Sequence, residues 1–220
     1  MDRALQGARG VVLDLDGTLV DTTYVHTLCW WQAFRQYGRT PTMAAVHRAI
    51  GMGADRLVGH VLGPERDPGA DTDVTVAHDA LFAQWHDRVT PLRGACELIR
   101  WCHHVDLLVV LATSSGERDT TALLRSLGDP DFDVVVSASD VAESKPGSQI
   151  FQEALARGDL DPRHTLFVGD SVWDLQACRA VDGVGIGLEC GGTSAAELRD
   201  AGAAHVFPDP AALLQALMDW

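Results

Sequence analysis

Long apolar runs are missing from this chain. No segment approaches the roughly 18 apolar residues that a membrane-spanning helix needs, and the opening residues MDRALQGARG hold no apolar stretch of signal-peptide length. We therefore expect a cytoplasmic protein without a membrane partner. Internal repeats and low-complexity tracts are absent from the sequence as well.

Basic residues and cysteines are also scarce. Lys and Arg number 17 against 31 Asp and Glu, and the resulting formal net charge of −14 repels a nucleic-acid backbone. DNA and RNA are therefore not expected partners. The five cysteines lack the short paired spacings of a zinc site or a disulfide framework, which favours a reducing compartment. Nothing in the sequence indicates an oligomeric state.

Short apolar runs followed by turn residues recur along the chain. They lie at 11–13, 107–111, 134–136, 166–168 and 184–188 and predict buried strands. Segments with helical spacing separate the later runs, at 120–127, 149–157 and 175–180. This alternation predicts an α/β fold, in which a parallel sheet is covered by helices on both faces.

The strand pattern disappears between residues 21 and 89. Helical candidates occur there at 24–37, 43–50 and 74–88, around a Gly-, Pro- and Asp-rich loop at 63–72. We therefore predict a core domain made of residues 1–20 and 90–220, with a helical insertion of residues 21–89.

Reactive side chains follow four successive apolar runs. Because the carboxyl ends of parallel strands meet at one edge of a sheet, these side chains are expected to converge. They are Asp14 and Asp16 after the first run, Thr113 and Ser114 after the second, Lys145 after the third, and Asp170 and Asp174 after the fourth.

The predicted set combines carboxylates with a lysine. Carboxylate oxygens from Asp14, Asp16 and Asp170 suit a hard cation such as Mg²⁺, which usually keeps waters and phosphate oxygens as further ligands. The cation and Lys145 would offset the repulsion, and a phosphoryl group would complete the site. Singly, an Asp or Ser after a strand more often caps a helix or turn; four such elements at one edge favour a functional site.

The spacing of these residues resembles the motifs of the haloacid-dehalogenase-like hydrolase superfamily. DLDGTLVD at 14–21 resembles its first motif and LATSS at 111–115 its second. Lys145-Pro146 resembles the third, and Gly169-Asp170-Ser171 with Asp174 the fourth. The resemblance extends to about residue 210. It implies a Rossmann-like sheet sandwiched by helices, with residues 21–89 forming a mobile helical cap over the active site.

The resemblance also implies roles for the carboxylates. Asp14 would be the nucleophile that forms an aspartyl-phosphate, and its other oxygen would bind Mg²⁺. Asp16 would act as acid and then base, with its backbone carbonyl on the metal. Asp16 must begin protonated, and we expect the nearby Asp14 to raise its pKa. Asp170 would bind the metal, and Asp174 would support either Lys145 or a metal-bound water.

The remaining implied roles concern the phosphoryl group. Thr113 and the backbone N–H of Ser114 would hold its oxygens, and Lys145 would neutralise its charge. The chain departs from the family pattern at Ser148, where the family often has a second proline after the lysine. That difference affects the stiffness of the loop more than the chemistry.

The resemblance leaves several reactions open. Dehalogenation is disfavoured because the similar dehalogenases lack an acid two residues after the nucleophile. Residues 21–38 resemble the subgroup of phosphoglycolate phosphatases and β-phosphoglucomutases. The segment 50–56 lacks the Ser/Arg pattern associated with the mutases. We therefore predict a Mg²⁺-dependent phosphatase acting on a small phosphorylated metabolite, with a phosphomutase or a non-catalytic phosphate-responsive binding protein as alternatives.

Substrate contacts from the insertion are predicted on weaker grounds. His26 and Arg56 are candidates to line the substrate pocket, together with Trp30. An aromatic residue at helical spacing more often belongs to a core, so Trp30 also fits the interior of the insertion.

Overall fold

A six-stranded sheet forms the centre of the computed structural model, which describes residues 7–219. Its strands are β1 Gly10–Leu13, β2 Leu108–Ala112, β3 Val134–Val136, β4 Thr165–Gly169, β5 Val184–Leu188 and β6 His205–Phe207. They are arranged in the order β3-β2-β1-β4-β5-β6, and each neighbouring pair is parallel. This is the doubly wound order, in which the order of the strands along the chain reverses next to β1. The predicted fold class is confirmed.

Burial on both faces explains why the central strands are continuous apolar runs. Every residue of β1 is buried, and Val11 aligns with Val109 on one side and with Leu166 on the other. Alternate side chains enter two separate apolar clusters, one containing Leu13 and the other Val12. Strand β1 is therefore held rigidly, and the residue that follows it is placed at the centre of the sheet edge.

Helices cover the sheet and fill the segment between β1 and β2. They are α1 Thr23–Gln36, α2 Met43–Ala49, α3 Ala54–Leu62, α4 Asp71–Phe82, α5 Ala95–His104, α6 Glu117–Ser126, α7 Gln149–Gly158, α8 Val172–Ala180, α9 Ala195–Ala201 and α10 Pro210–Met218. Helices α1 to α4 contain an apolar cluster of their own around Trp30, Phe34 and Leu57. Within residues 7–219, no helix has both the length and the apolar character needed to cross a bilayer.

The two stretches of chain that connect this helical segment to the sheet, one entering it and one leaving it, lie side by side. The Asp21 N–H donates to the Thr90 carbonyl at 3.0 Å, and Val20 forms an isolated bridge with Pro91. The division into a core of 1–20 and 90–220 and a cap of 21–89 stays a prediction, and residues 1–6 and 220 of that division lie outside the described residues.

Candidate active site

Asp14 occupies the centre of the carboxyl edge of the sheet. Its backbone N–H donates to the Val168 carbonyl at 3.0 Å, which continues the pairing of β1 with β4 by one residue. The side chain is 5% exposed. Thr113 follows β2 and is also buried, and its hydroxyl accepts a hydrogen bond from the Ser115 N–H at 3.0 Å. The predicted convergence of these strand ends is therefore present in the structure.

Lys145 reaches this edge from the loop between β3 and α7. Its ammonium lies 2.6 Å from Asp14 Oδ1 and 2.8 Å from Asp174 Oδ1, and it donates to the Ala112 carbonyl at 3.1 Å. The side chain has no exposed surface. A buried ammonium is stable only when it is paired in this way. Of the two roles left open for Asp174, the structure shows the contact with Lys145.

Three carboxylates crowd together around this lysine. Asp14, Asp170 and Asp174 each present an oxygen, and these oxygens lie within 4.8 Å of one another. Thr18 donates to Asp170 Oδ1 at 3.0 Å. On the other side the backbone approaches so closely that a Cβ on Gly191 would overlap the Asp170 carboxylate. A single lysine cannot neutralise three carboxylates, so the donor set fits a hard divalent cation.

Burial and the neighbouring carboxylates raise the pKa values in this cluster. The pKa of Asp14 is raised to about 7, because burial together with the charges of Asp174 and Asp16 outweighs the lowering effect of Lys145. Burial and the neighbouring Asp174 and Asp14 raise the pKa of Asp170 well above its usual range. Additional positive charge beside these residues would favour ionised Asp14, the form that a nucleophile requires.

Asp16 has different neighbours from those that its sequence position suggests. Its carboxylate lies 2.9 Å from His26 Nε2 and accepts hydrogen bonds from Thr22 at 2.7 Å and Ser115 at 2.5 Å. Burial acts to raise the pKa of Asp16, but His26 and the two hydroxyls outweigh it and lower the pKa to about 2. The expectation of a raised pKa is therefore wrong, because these partners dominate over Asp14.

A row of hydrogen-bonded side chains leads away from Asp16 into the helical segment. His26 Nδ1 lies 3.1 Å from His78 Nε2, and His78 Nδ1 lies 2.9 Å from Asp79 Oδ1. Burial lowers the pKa of His78 to about 4. Sequence reasoning missed both His78 and Ser115. Ser115 could have been found from its place in the strand-end motif. His78 lies 52 residues from His26, and no motif in the sequence around it indicates a site residue.

A cavity of about 480 Å³ lies between the sheet edge and the helical segment. Asp14, Asp16, Thr113 and Ser114 line its floor, so with His26 five of the predicted site residues face one space. The opposite wall comes from the helical segment and includes His26, Trp30, Met52 and His78. Trp30 also packs in the apolar cluster of that segment, so both interpretations of this residue apply.

Arg56 lies apart from the other predicted substrate contacts. It is not among the residues that line the cavity, and its guanidinium pairs with Glu143, two residues before Lys145. The Arg56 side chain is 39% exposed and the Glu143 side chain 42% exposed. Helix α3 carries Arg56 toward the loop of the core rather than toward the space above Asp14.

Replacing Arg56 with Ala should change kcat/KM by less than about threefold, and equally on every phosphate ester. A half-exposed ion pair is worth at most about 1 kcal/mol, and no cavity wall is lost. The measurement compares kcat/KM on p-nitrophenyl phosphate and on a panel of phosphorylated metabolites. Glu143→Gln is the matched control. A tenfold change of substrate preference in Arg56→Ala alone would instead reinstate a direct substrate contact.

Comparisons with known proteins agree with this geometry. A sequence profile described as haloacid dehalogenase-like hydrolase matches residues 8–182. A phosphoglycolate phosphatase from Pseudomonas putida is 29% identical over 83% of this chain and 70% of its own length. Another from Thiobacillus denitrificans is 30% identical over 78% of this chain and 79% of its own. The crystal structure of a hydrolase from Pseudomonas syringae superposes with a TM-score of 0.90 at 29% identity, covering 96% of this chain and 98% of that one.

Proposed function

The chain belongs to the haloacid dehalogenase-like hydrolase family, and from this premise we propose that it is a Mg²⁺-dependent phosphatase. It hydrolyses a small phosphorylated metabolite through an aspartyl-phosphate on Asp14. The observation that carries the proposal is the pairing of Asp14 with the fully buried Lys145, inside a cluster of carboxylates at the floor of a substrate-sized cavity. The names of the phosphatase relatives support the same reaction class.

In the first step a carboxylate oxygen of Asp14 attacks phosphorus. The bond from phosphorus to the ester oxygen breaks, and its electron pair stays on that oxygen, which takes a proton from Asp16. Asp16 is ionised in the free enzyme, with a pKa of about 2. A phosphate dianion bound beside it adds negative charge, which raises the pKa of Asp16 and favours uptake of the proton that it then transfers.

In the second step water attacks the phosphorus of the aspartyl-phosphate. Asp16, by then ionised, accepts a proton from this water, and the bond from phosphorus to Asp14 breaks to release phosphate. His26 holds the Asp16 carboxylate in place at 2.9 Å throughout. The low pKa of Asp16 in the free enzyme is consistent with a group that finishes the cycle as a carboxylate.

The remaining residues position and neutralise the phosphoryl group. Thr113 and the Ser114 N–H would bind its oxygens, since both residues line the cavity next to Asp14. A divalent cation held by Asp14 and Asp170, with the Asp16 carbonyl, would stabilise the negative charge of the transferring group. Lys145 is already paired with Asp14 and Asp174 and supplies the fixed positive charge of the site.

The location and partners follow from the same proposal. We place the enzyme in the cytoplasm, because its five cysteines are all unpaired thiols, as in a reducing compartment. Its partner is a small phosphorylated molecule, and no nucleic-acid or membrane partner is expected.

A turnover assay tests the proposed function. The purified protein with Mg²⁺ should release phosphate from p-nitrophenyl phosphate over many cycles. A binding protein on this scaffold would bind phosphate without turnover, and a mutase would transfer the phosphoryl group to a sugar phosphate faster than to water. Absence of multiple turnover on any phosphate monoester would refute the phosphatase.

Replacing Asp16 with Asn should slow hydrolysis most for esters with poor leaving groups. The amide cannot donate the proton, so kcat on an alkyl phosphate should fall by about 10²–10⁴-fold, the usual contribution of general acid catalysis. p-Nitrophenolate leaves without a proton and should lose much less in the first step. The measurement is kcat on both esters in wild type and variant, and equal losses on the two would count against the acid role.

A further inference from the structure

The charges that line the cavity indicate which class of phosphate ester it accepts. Resting on the proposed function, we propose that the substrate is the phosphate monoester of an uncharged, hydroxyl-bearing alcohol, with no second anionic group. The inference separates this chain from its phosphoglycolate phosphatase relatives, whose substrate carries a carboxylate next to the phosphate ester.

Among the charged residues of the cavity wall, carboxylates outnumber cations. Among the cavity-lining residues that the structure describes, six are acidic and only Arg118 is a lysine or arginine. The acidic residues are Asp14, Asp16, Asp55, Asp79, Glu117 and Asp119. Asp14 and Asp16 belong to the phosphoryl end, so the other four are the carboxylates available to face the leaving group. A carboxylate or second phosphate on that group would be placed among like charges.

The partners of these four carboxylates cancel their charge only in part. Asp55 contacts the hydroxyl of Ser144 and lies 4.0 Å from the Arg56 guanidinium, and Asp79 is bonded to His78. The pKa of His78 is lowered to about 4 by burial, so His78 adds no positive charge beside Asp79 at neutral pH. Asp119 lies 2.9 Å from His86 Nε2, and burial raises its pKa. Among the described residues, neither Asp79 nor Glu117 pairs with a lysine or an arginine.

The cations near the cavity are already engaged or lie at its rim. Lys145 is bonded to two carboxylates, and Arg56 is paired with Glu143. Arg118 is exposed in the first turn of α6, directly between Glu117 and Asp119 in the sequence. Sites that select a carboxylate or a phosphate usually present an arginine or lysine to it. The described wall of this cavity offers no such group beyond Arg118.

The same wall suits hydroxyl groups. Carboxylates such as Asp79 accept hydrogen bonds from alcohols, and Thr75 on the same helix adds a hydroxyl to the cavity. Trp30 and His78 also line the cavity beside these acceptors, and their rings stack with the centroids 4.0 Å apart. A carbon chain bearing hydroxyls finds both kinds of contact here.

Three esters that differ only in their terminal group test this inference. They are hydroxyethyl phosphate, phosphoglycolate and ethanolamine phosphate, which end in a hydroxyl, a carboxylate and an ammonium. We expect kcat/KM for hydroxyethyl phosphate to exceed that for phosphoglycolate at least tenfold, and ethanolamine phosphate also to exceed phosphoglycolate. Preference for phosphoglycolate overturns the inference, and so does an ammonium ester as poor as phosphoglycolate, because the discrimination would then not follow charge.

p-Nitrophenyl phosphate separates failure of this inference from failure of the proposed function. If it is hydrolysed while none of the three esters is, the substrate class is overturned and the phosphatase stands. If it is not hydrolysed, the proposed function fails, and this inference with it.

A single isosteric change tests the cause. Asp79→Asn keeps an oxygen that accepts from His78 but removes one negative charge, so kcat/KM for phosphoglycolate relative to hydroxyethyl phosphate should rise about threefold or more. Asp73→Asn is the matched control, because Asp73 is exposed on the same helix α4 and does not line the cavity. An unchanged ratio in Asp79→Asn, or an equal rise in Asp73→Asn, contradicts the electrostatic cause.

Discussion

Asp14→Asn should lower kcat on every phosphate ester by at least about a thousandfold. An amide is not a nucleophile toward phosphorus and is a poorer ligand for a hard cation, so both steps of the proposed reaction lose their central group. Removal of a catalytic nucleophile usually costs this much or more. The measurement is kcat on p-nitrophenyl phosphate, with protein purified free of other phosphatases.

The fold should survive this substitution. Lys145 keeps its 2.8 Å contact with Asp174 when Asp14 loses its charge, so no unpaired buried ammonium is left behind. Circular dichroism and thermal unfolding of Asp14→Asn should therefore remain close to those of the wild type. Lys145→Met is a useful comparison, since it would leave three crowded carboxylates without their lysine. Activity of folded Asp14→Asn within tenfold of wild type would remove Asp14 from the mechanism.

Removal of divalent cations should reduce activity by at least about a hundredfold. Asp14, Asp170 and Asp174 form a buried carboxylate cluster that Lys145 alone does not neutralise, and the uncompensated charge opposes an approaching phosphate dianion. A chelator such as EDTA should abolish phosphate release, and an excess of Mg²⁺ should restore it. Retention of full activity after exhaustive chelation would contradict the assigned cluster.

Ca²⁺ distinguishes geometry from charge in the same experiment. It carries the same charge as Mg²⁺ but prefers a larger and looser ligand shell, so it should bind without placing Asp14 in line for attack. We expect Ca²⁺ to inhibit the Mg²⁺-supported reaction. Support of turnover by Ca²⁺ at the rate seen with Mg²⁺ would show that charge alone is sufficient.

The sequence predicts the floor of the site better than its walls. Asp14, Thr113 and Asp170 follow apolar strands directly, so strand order alone brings them to one edge. Lys145 is bound to Asp14 although 131 residues separate them. The position of Lys145 after β3 was sufficient to predict that the two side chains lie close together. Each of these positions depends on β-sheet geometry, which the apolar pattern reports well.

The environment of Asp16 could not be read from the same pattern. Burial raises its pKa, and His26, which lowers it most, is positioned by the packing of the helical segment over the sheet. Helix α3 and strand β6 were likewise missed. Helix α3 begins directly after Gly51-Met52-Gly53, and these glycines indicate a loop rather than a helix. Strand β6 has only three residues, and none of them is fully buried.

The central claim is a covalent phosphoryl group on Asp14, and rapid-quench mass spectrometry tests it most directly. Enzyme mixed with Mg²⁺ and a fast-leaving phosphate ester is quenched in acid within milliseconds, and its peptides are mapped. We predict a mass increase of one phosphoryl group on the peptide holding Asp14, which decays as phosphate is released and is missing from Asp14→Asn. Active enzyme that shows burst-free turnover and no phosphorylated peptide at any time point, or one phosphorylated at another residue, would contradict the account.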